Sequence, residues 1–132
     1  MSELTITASD IQGDIAVKVL HLKGHLHGAT ESHLQDHARQ AHEDGCRHLL
    51  LDLSDLEVLS SAGLRVIQNV FKLFTPPSDL ELIRRPGGEP YKSPYFKLVC
   101  PNQQIYYILN ITGFMQNLLV YNNLDEALKS FS

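Results

Sequence analysis

HLLLDLSDLEVLSSAGLRVI, His48 to Ile67, holds the reading on which the fold turns. Its opening, His48 to Leu53, is a continuous apolar run bounded by Gly45 and the Ser54-Asp55 pair, the pattern of a strand buried on both faces. Such a strand belongs at the centre of a sheet. Further on the period changes. Leu64 and Ile67, continued by Val70, Phe71 and Phe74, fall at spacings of three and four, so a helix begins near Ser60 and Ser61. Thr75-Pro76-Pro77 stops it, because proline cannot continue the hydrogen-bond ladder.

Toward the N-terminus, Leu4, Ile6 and Ala8 alternate with Thr5, Thr7 and Ser9, and Asp10 to Asp14 supplies turn residues before Ile15, Val17 and Val19 resume the pattern. Two strands joined by a tight connection follow. From Thr30, a candidate N-cap, Leu34, Ala38 and Ala41 mark a helix of about four turns that Gly45 closes. Toward the C-terminus, residues 75 to 95 hold five of the six prolines and the Pro86-Gly87-Gly88 turn. They read as a long irregular loop, with at most a short extended piece at Leu80 to Ile83. Phe96 to Cys100 reads as an inner strand, Ile105, Ile108 and Leu109 as a short helix closed by Gly113, and Leu118 to Tyr121 as a last strand. Leu124, Ala127, Leu128 and Phe131 then place an amphipathic helix at the C-terminus. The expected class is α/β: one domain over residues 1–132, a mixed sheet and about four helices.

With 43% hydrophobic and 20% charged residues, the 132-residue chain has enough apolar material for one core. No apolar run nears the roughly 18 residues of a membrane span, and the opening MSELTITASD lacks the features of a signal peptide, so a cytoplasmic protein is expected. A formal charge of −4 without a basic stripe argues against nucleic acid. Cys46 and Cys100 have neither CxxC spacing nor disulfide density and read as ordinary thiols.

Four blocks in order carry a resemblance. Val19 to Thr30, VLHLKGHLHGAT, is similar to "vlxlxGeLDaat"; Leu49 to Ile67 to "lvlDlsgvxfiDSSGLgvl"; Lys97 to Phe114 to "lvnpxxxvxxlLxltGl"; and Leu124 to Leu128 to "leeAl". These are patterns of the STAS domain, which the chain resembles over nearly its whole length. That fold is shared by bacterial anti-sigma factor antagonists and the cytoplasmic tails of sulphate transporters. The resemblance implies a binding module with no catalytic residue and no cofactor, whose partner is an anti-sigma factor or a related regulator. It also implies a phosphorylatable serine at Ser61, modified by an anti-sigma kinase to block binding, with Ser60, His27, Gly63 and Arg65 shaping the surface around it. Two positions depart from the pattern: Ser60 stands for the Asp before the serine, and His27 for the acidic residue of the loop. Arg65 replaces a small residue.

The residues also support the site on physical grounds. A serine at a helix N-terminus meets unpaired N–H groups and the positive dipole end, which favour added negative charge. Gly63 in the first helical turn costs roughly 1 kcal/mol against Ala, which fits a point where something approaches the backbone closely. Ser60 and Ser61 could equally serve only as caps. His25 and His27 share strand parity, and His33 and His37 lie one turn apart, but no acidic or Cys ligand completes a metal set, so a solvated face is the preferred reading. Asp52, Asp55 and Glu57 read as turn residues, Arg84-Arg85 as exposed loop charge, and Tyr106-Tyr107 as one packed ring and one surface ring. Two alternatives stand beside the regulated antagonist. One is a STAS subunit that works constitutively in a larger signalling or transport assembly without phosphorylation. The other is a small metal- or ligand-binding protein.

Overall fold

A computed structural model describes residues 3–84, 91–111 and 114–131. Strand β1 (Leu4–Ile11) and strand β2 (Val17–Leu26) form the expected antiparallel hairpin. Helix α1 (Glu31–Glu43) crosses to β3 (Leu49–Leu59), and α2 (Ser61–Leu73) and α3 (Pro77–Arg84) lead to β4 (Phe96–Val99). Helix α4 (Gln103–Ile111) and a short 3-10 turn (Phe114–Asn117) precede β5 (Val120–Tyr121), and α5 (Leu124–Lys129) ends the described elements. The sheet order is β1-β2-β3-β4-β5, with β2 to β5 parallel. This is the mixed sheet the periodicities predict, with β3 at its centre.

Alternate residues of β3 feed two separate cores, as a strand covered on both sides requires. Leu49, Leu51 and Leu53 join the main core under α1, α2 and α4, with Leu34, Ala38, Ile67, Val70 and Leu109. Leu50 joins a smaller core with Val17, Val19, Val99, Ala127 and Phe131, where α5 lies on the opposite face. Lys97 of β4 locks α5 down. Its ammonium donates to the carbonyl and hydroxyl of Ser130 at 3.0 and 2.9 Å and sits 4.4 Å from the Phe131 ring centroid. Burial lowers the pKa of this ammonium.

Four expectations need correction. The strand begun at Leu49 does not stop at Ser54-Asp55 but runs to Leu59. Two irregularities in its pairing with β2, one between His21 and Lys23 and one between Gly24 and His25, each leave an extra residue on β3. The buried positions Leu53, Leu56 and Leu59 are therefore spaced by three, not two, and the strand period is hidden. The proline-rich stretch is not all loop, because Pro77 occupies the first position of α3, where a missing N–H costs nothing. The Asp79 carboxylate, in the first turn of α3, accepts the Tyr91 hydroxyl at 2.6 Å and ties the helix to the chain ahead of β4. Strand β5 is only two residues long, shorter than Leu118 to Tyr121. Tyr106 and Tyr107 are both exposed, because the inward stripe of α4 is Ile105 and Leu109. The Pro86-Gly87-Gly88 turn, Arg85 and the Gly113 helix stop lie outside the described residues.

Candidate functional site

The site forms where the loop after β2 meets the first turn of α2. Ser60 leaves β3 in an extended conformation (φ −97°, ψ 177°), donates its N–H to the Leu26 carbonyl at 3.1 Å, and accepts the Gly63 N–H on its hydroxyl at 3.3 Å. Ser60 is thus the N-cap. Ser61, the first helical residue, is exposed and free of that duty. The two serines that the sequence leaves interchangeable have separate roles. Arg65, one turn on, is also exposed.

Gly63 corrects the reading of a partner contact. It is buried, and a Cβ there would stand 2.6 Å from the Leu26 carbonyl oxygen and 2.7 Å from Leu59 Cδ1. The close approach is made by the protein's own strand ends. A Cβ at Gly28 of the loop would meet Ala62 Cβ at 3.9 Å, an ordinary contact, so the loop lies beside the helix start without the crowding seen at Gly63. Gly24 has φ +110°, and a side chain at that position would run into the Glu3 carbonyl oxygen.

The loop is held by its own polar groups. Thr30 Oγ1 donates to the His25 carbonyl at 2.8 Å and accepts the His27 N–H at 3.1 Å. Its side chain therefore folds back into the loop and makes no capping bond to α1. His27 Nδ1 accepts the Ala29 N–H at 3.1 Å, so the ring proton sits on Nε2, which lies 2.7 Å from a Glu3 carboxylate oxygen. His27 thus occupies the loop's acidic position while a carboxylate from the first strand's threshold is brought beside it. Sequence reasoning missed Glu3, which is brought to His27 only by folding, through the hairpin pairing that sets Leu4 opposite Gly24.

Two more histidine-carboxylate pairs run along β2. His25 Nε2 lies 3.3 Å from Glu57, and His21 Nδ1 lies 2.9 Å from Asp52. Asp52, Asp55 and Glu57 all lie within β3 and are strand residues, not turn residues. Ser9 Oγ lies 3.4 Å from His21 Nε2, which gives a Ser-His-Asp order across three strands. That O···N distance is well beyond the 2.7–2.8 Å typical of a hydroxyl bond, and Asp52 also accepts the Ser54 N–H and hydroxyl at 3.0 and 2.5 Å. The group reads as a polar ladder on the sheet face that carries α5, beyond the edge of the smaller core.

His33 and His37 stack on α1 with ring centroids 5.0 Å apart, and among the described residues no three His, Cys, Asp or Glu side chains converge as metal ligands. A cavity of about 280 Å³ separates α1 from α2 beside the site, lined by Glu31, Ser32, Gln35, Arg65, Val66 and Asn69. A larger one of about 580 Å³, near Lys18, Cys46, Arg47 and His48, opens at the other end of β2 and β3, roughly 30 Å away along the strands. It is no part of this site. The thiols are poor nucleophiles: burial pushes Cys46 up and Cys100 to about 11. Among the described residues no helix is long and apolar enough to cross a membrane.

The chain's likeness to known proteins agrees with this geometry. It is 32% identical over 85 residues to a Thermotoga neapolitana protein classed as an anti-sigma factor antagonist, a match that spans 64% of this chain and 62% of that protein. It is 26% identical over 125 residues to the anti-sigma F factor antagonist of Paenibacillus polymyxa, spanning 87% of this chain and 93% of that one. Among solved structures, an anti-sigma factor antagonist from Mycobacterium paratuberculosis superposes with a TM-score of 0.70 at 23% identity, over 96% of this chain and 94% of the other. The Bacillus cell fate determinant SpoIIAA in its phosphorylated form superposes with a TM-score of 0.60 at 11% identity, over 96% of this chain and 100% of the other. The structural likeness is one of fold. The family model of the STAS domain matches residues 8–76, just over half of the sequence and the whole of the loop and helix start described above. The chain belongs to the STAS domain family.

Proposed function

We propose that this protein is an anti-sigma factor antagonist that binds an anti-sigma factor through the loop after β2 and the exposed side of α2, and that phosphorylation of Ser61 by a serine kinase turns the binding off. The observation that carries the reading is the division of labour between the serines: Ser60 caps α2, and Ser61 stands exposed on its first turn with its hydroxyl available. A phosphate there brings close to two negative charges, which the helix N-terminus tolerates within the chain. Against a docked partner the same charge must be desolvated, and a loss of about 3 kcal/mol lowers affinity by more than a hundredfold. No change of fold is required. The protein acts by occupying its partner, not by catalysis. The names of the relatives support the partner class.

Calorimetry with the cognate anti-sigma factor tests the reading. Ser61→Ala should bind as the unmodified protein does, and Ser61→Asp should bind at least about tenfold more weakly, since it carries only part of the phosphate charge. Equal binding by all three proteins would sink the switch. The His27-Glu3 pair favours a second reading, because the loop position that carries an acidic residue in the family pattern is here an imidazole already held by its own carboxylate. In that case the protein is a constitutive STAS subunit, and incubation with candidate kinases adds no phosphate mass.

A further inference from the structure

Arg65 is the residue on this surface for which the fold provides no role. Arg47 is held by the carbonyls of His42 and Cys46 at 2.8 and 2.9 Å, and Arg39 lies 3.7 Å from Asp36. Arg65 is exposed and, among the described residues, makes no hydrogen bond or ion pair. Its place on α2 is specific. It stands four residues after Ser61 on a helix that runs Ser61–Leu73, so the two side chains project from the same face one turn apart. The order is the favourable one, with the anion-bearing position N-terminal to the cation.

Resting on the phosphoserine reading above, we infer that Arg65 is the internal receiver of the Ser61 phosphate: on modification its guanidinium swings from the α1-α2 groove to the phosphate and forms a bidentate, charge-assisted pair. Guanidinium and phosphate match in geometry, two N–H donors to two oxygens, whereas a lysine supplies only a point charge. Phosphorylation then acts twice. It puts a dianion on the docking face, and it withdraws the cation that the unmodified protein presents there. The local sum changes from about +1 to about −1, so the partner surface opposite Arg65 should carry a carboxylate. Among the described residues, the titratable groups near this turn include Glu31, which lines the groove with Arg65, and, about the loop, His27 with Glu3 and His25 with Glu57.

The test uses the full chain carrying phosphoserine at position 61, installed during translation, with no partner present. Phosphorus NMR follows the second ionisation of the phosphate. An adjacent cation favours the dianion, so Arg65→Gln should raise this pKa by about 0.4 unit, and Arg65→Lys should restore only part of the difference. His27, Glu3 and Glu31 are common to all three proteins and cancel in the comparison. Identical titration curves for Arg65 and Arg65→Gln would overturn the pairing. Because neither kinase nor anti-sigma factor enters the experiment, this outcome is separate from the failure of the proposed function, which would show only as phosphate-insensitive binding.

Discussion

Ser60 and Ser61 differ by one position and face opposite demands. The hydroxyl of Ser60 satisfies an N–H that the first helical turn would otherwise leave unpaired, and it does so from half-buried surroundings against the end of β2. Ser60→Ala should lower stability by about 1 kcal/mol, measured by urea denaturation, and leave partner affinity within a few-fold of the starting protein. A large loss of affinity at unchanged stability would reverse the assignment of the two serines. At this scale the sequence tells where the first turn begins but not which hydroxyl caps, since the choice depends on where Leu26 delivers its carbonyl. Gly63 shows the same limit. Its lack of a side chain is visible in the sequence, whereas the groups that exploit it, Leu26 and Leu59, come from two strands brought together only by folding.

Among the elements, those that obey one period throughout are legible: α1, α2 and the opening of β3 stand where their apolar spacing puts them. The second half of β3 is not, because its bulges stretch the inward spacing to three and imitate another structure. Helix α3 is hidden for a different reason, that proline both ends one helix and starts the next. Helix α5 is short, and its anchor lies beyond it in the Phe131 ring, 4% exposed and covered by Lys97. Phe131→Ala should cost about 3 kcal/mol in a urea or thermal unfolding experiment, because it uncovers Val19, Leu50 and Val99 together. The site face lies on the far side of the sheet from this core, so partner binding measured well below the lowered melting temperature should stay the same.

In the whole molecule, the two ends of the central strands carry different chemistry. At the C-terminal ends of β2 and β3 are the loop, the cap and the exposed serine; at the N-terminal end of β3 is His48, between Tyr95 and Phe131. Burial lowers the pKa of His48, with Lys97 adding to the effect, and burial likewise lowers that of His42 against Phe74. The sign follows. Between the lowered folded pKa and the unfolded value near 6.5, the unfolded chain holds more protons, so these two histidines contribute stability that is present above 6.5 and is lost as pH falls toward their folded pKa. Urea midpoints taken from about pH 7 down to about pH 5 should fall less steeply for His48→Gln than for the unsubstituted protein. A parallel pair of curves would show that His48 ionises alike in both states.

The anchoring of Glu3 has a practical corollary. Its carbonyl accepts the His25 N–H at 2.7 Å and its carboxylate reaches His27, so Glu3 itself is fixed beside the loop after β2. An affinity tag or fluorescent protein fused directly ahead of Glu3 is expected to crowd that loop and to weaken partner capture in pull-down work. Fusions placed after α5, on the reverse of the sheet, leave it clear.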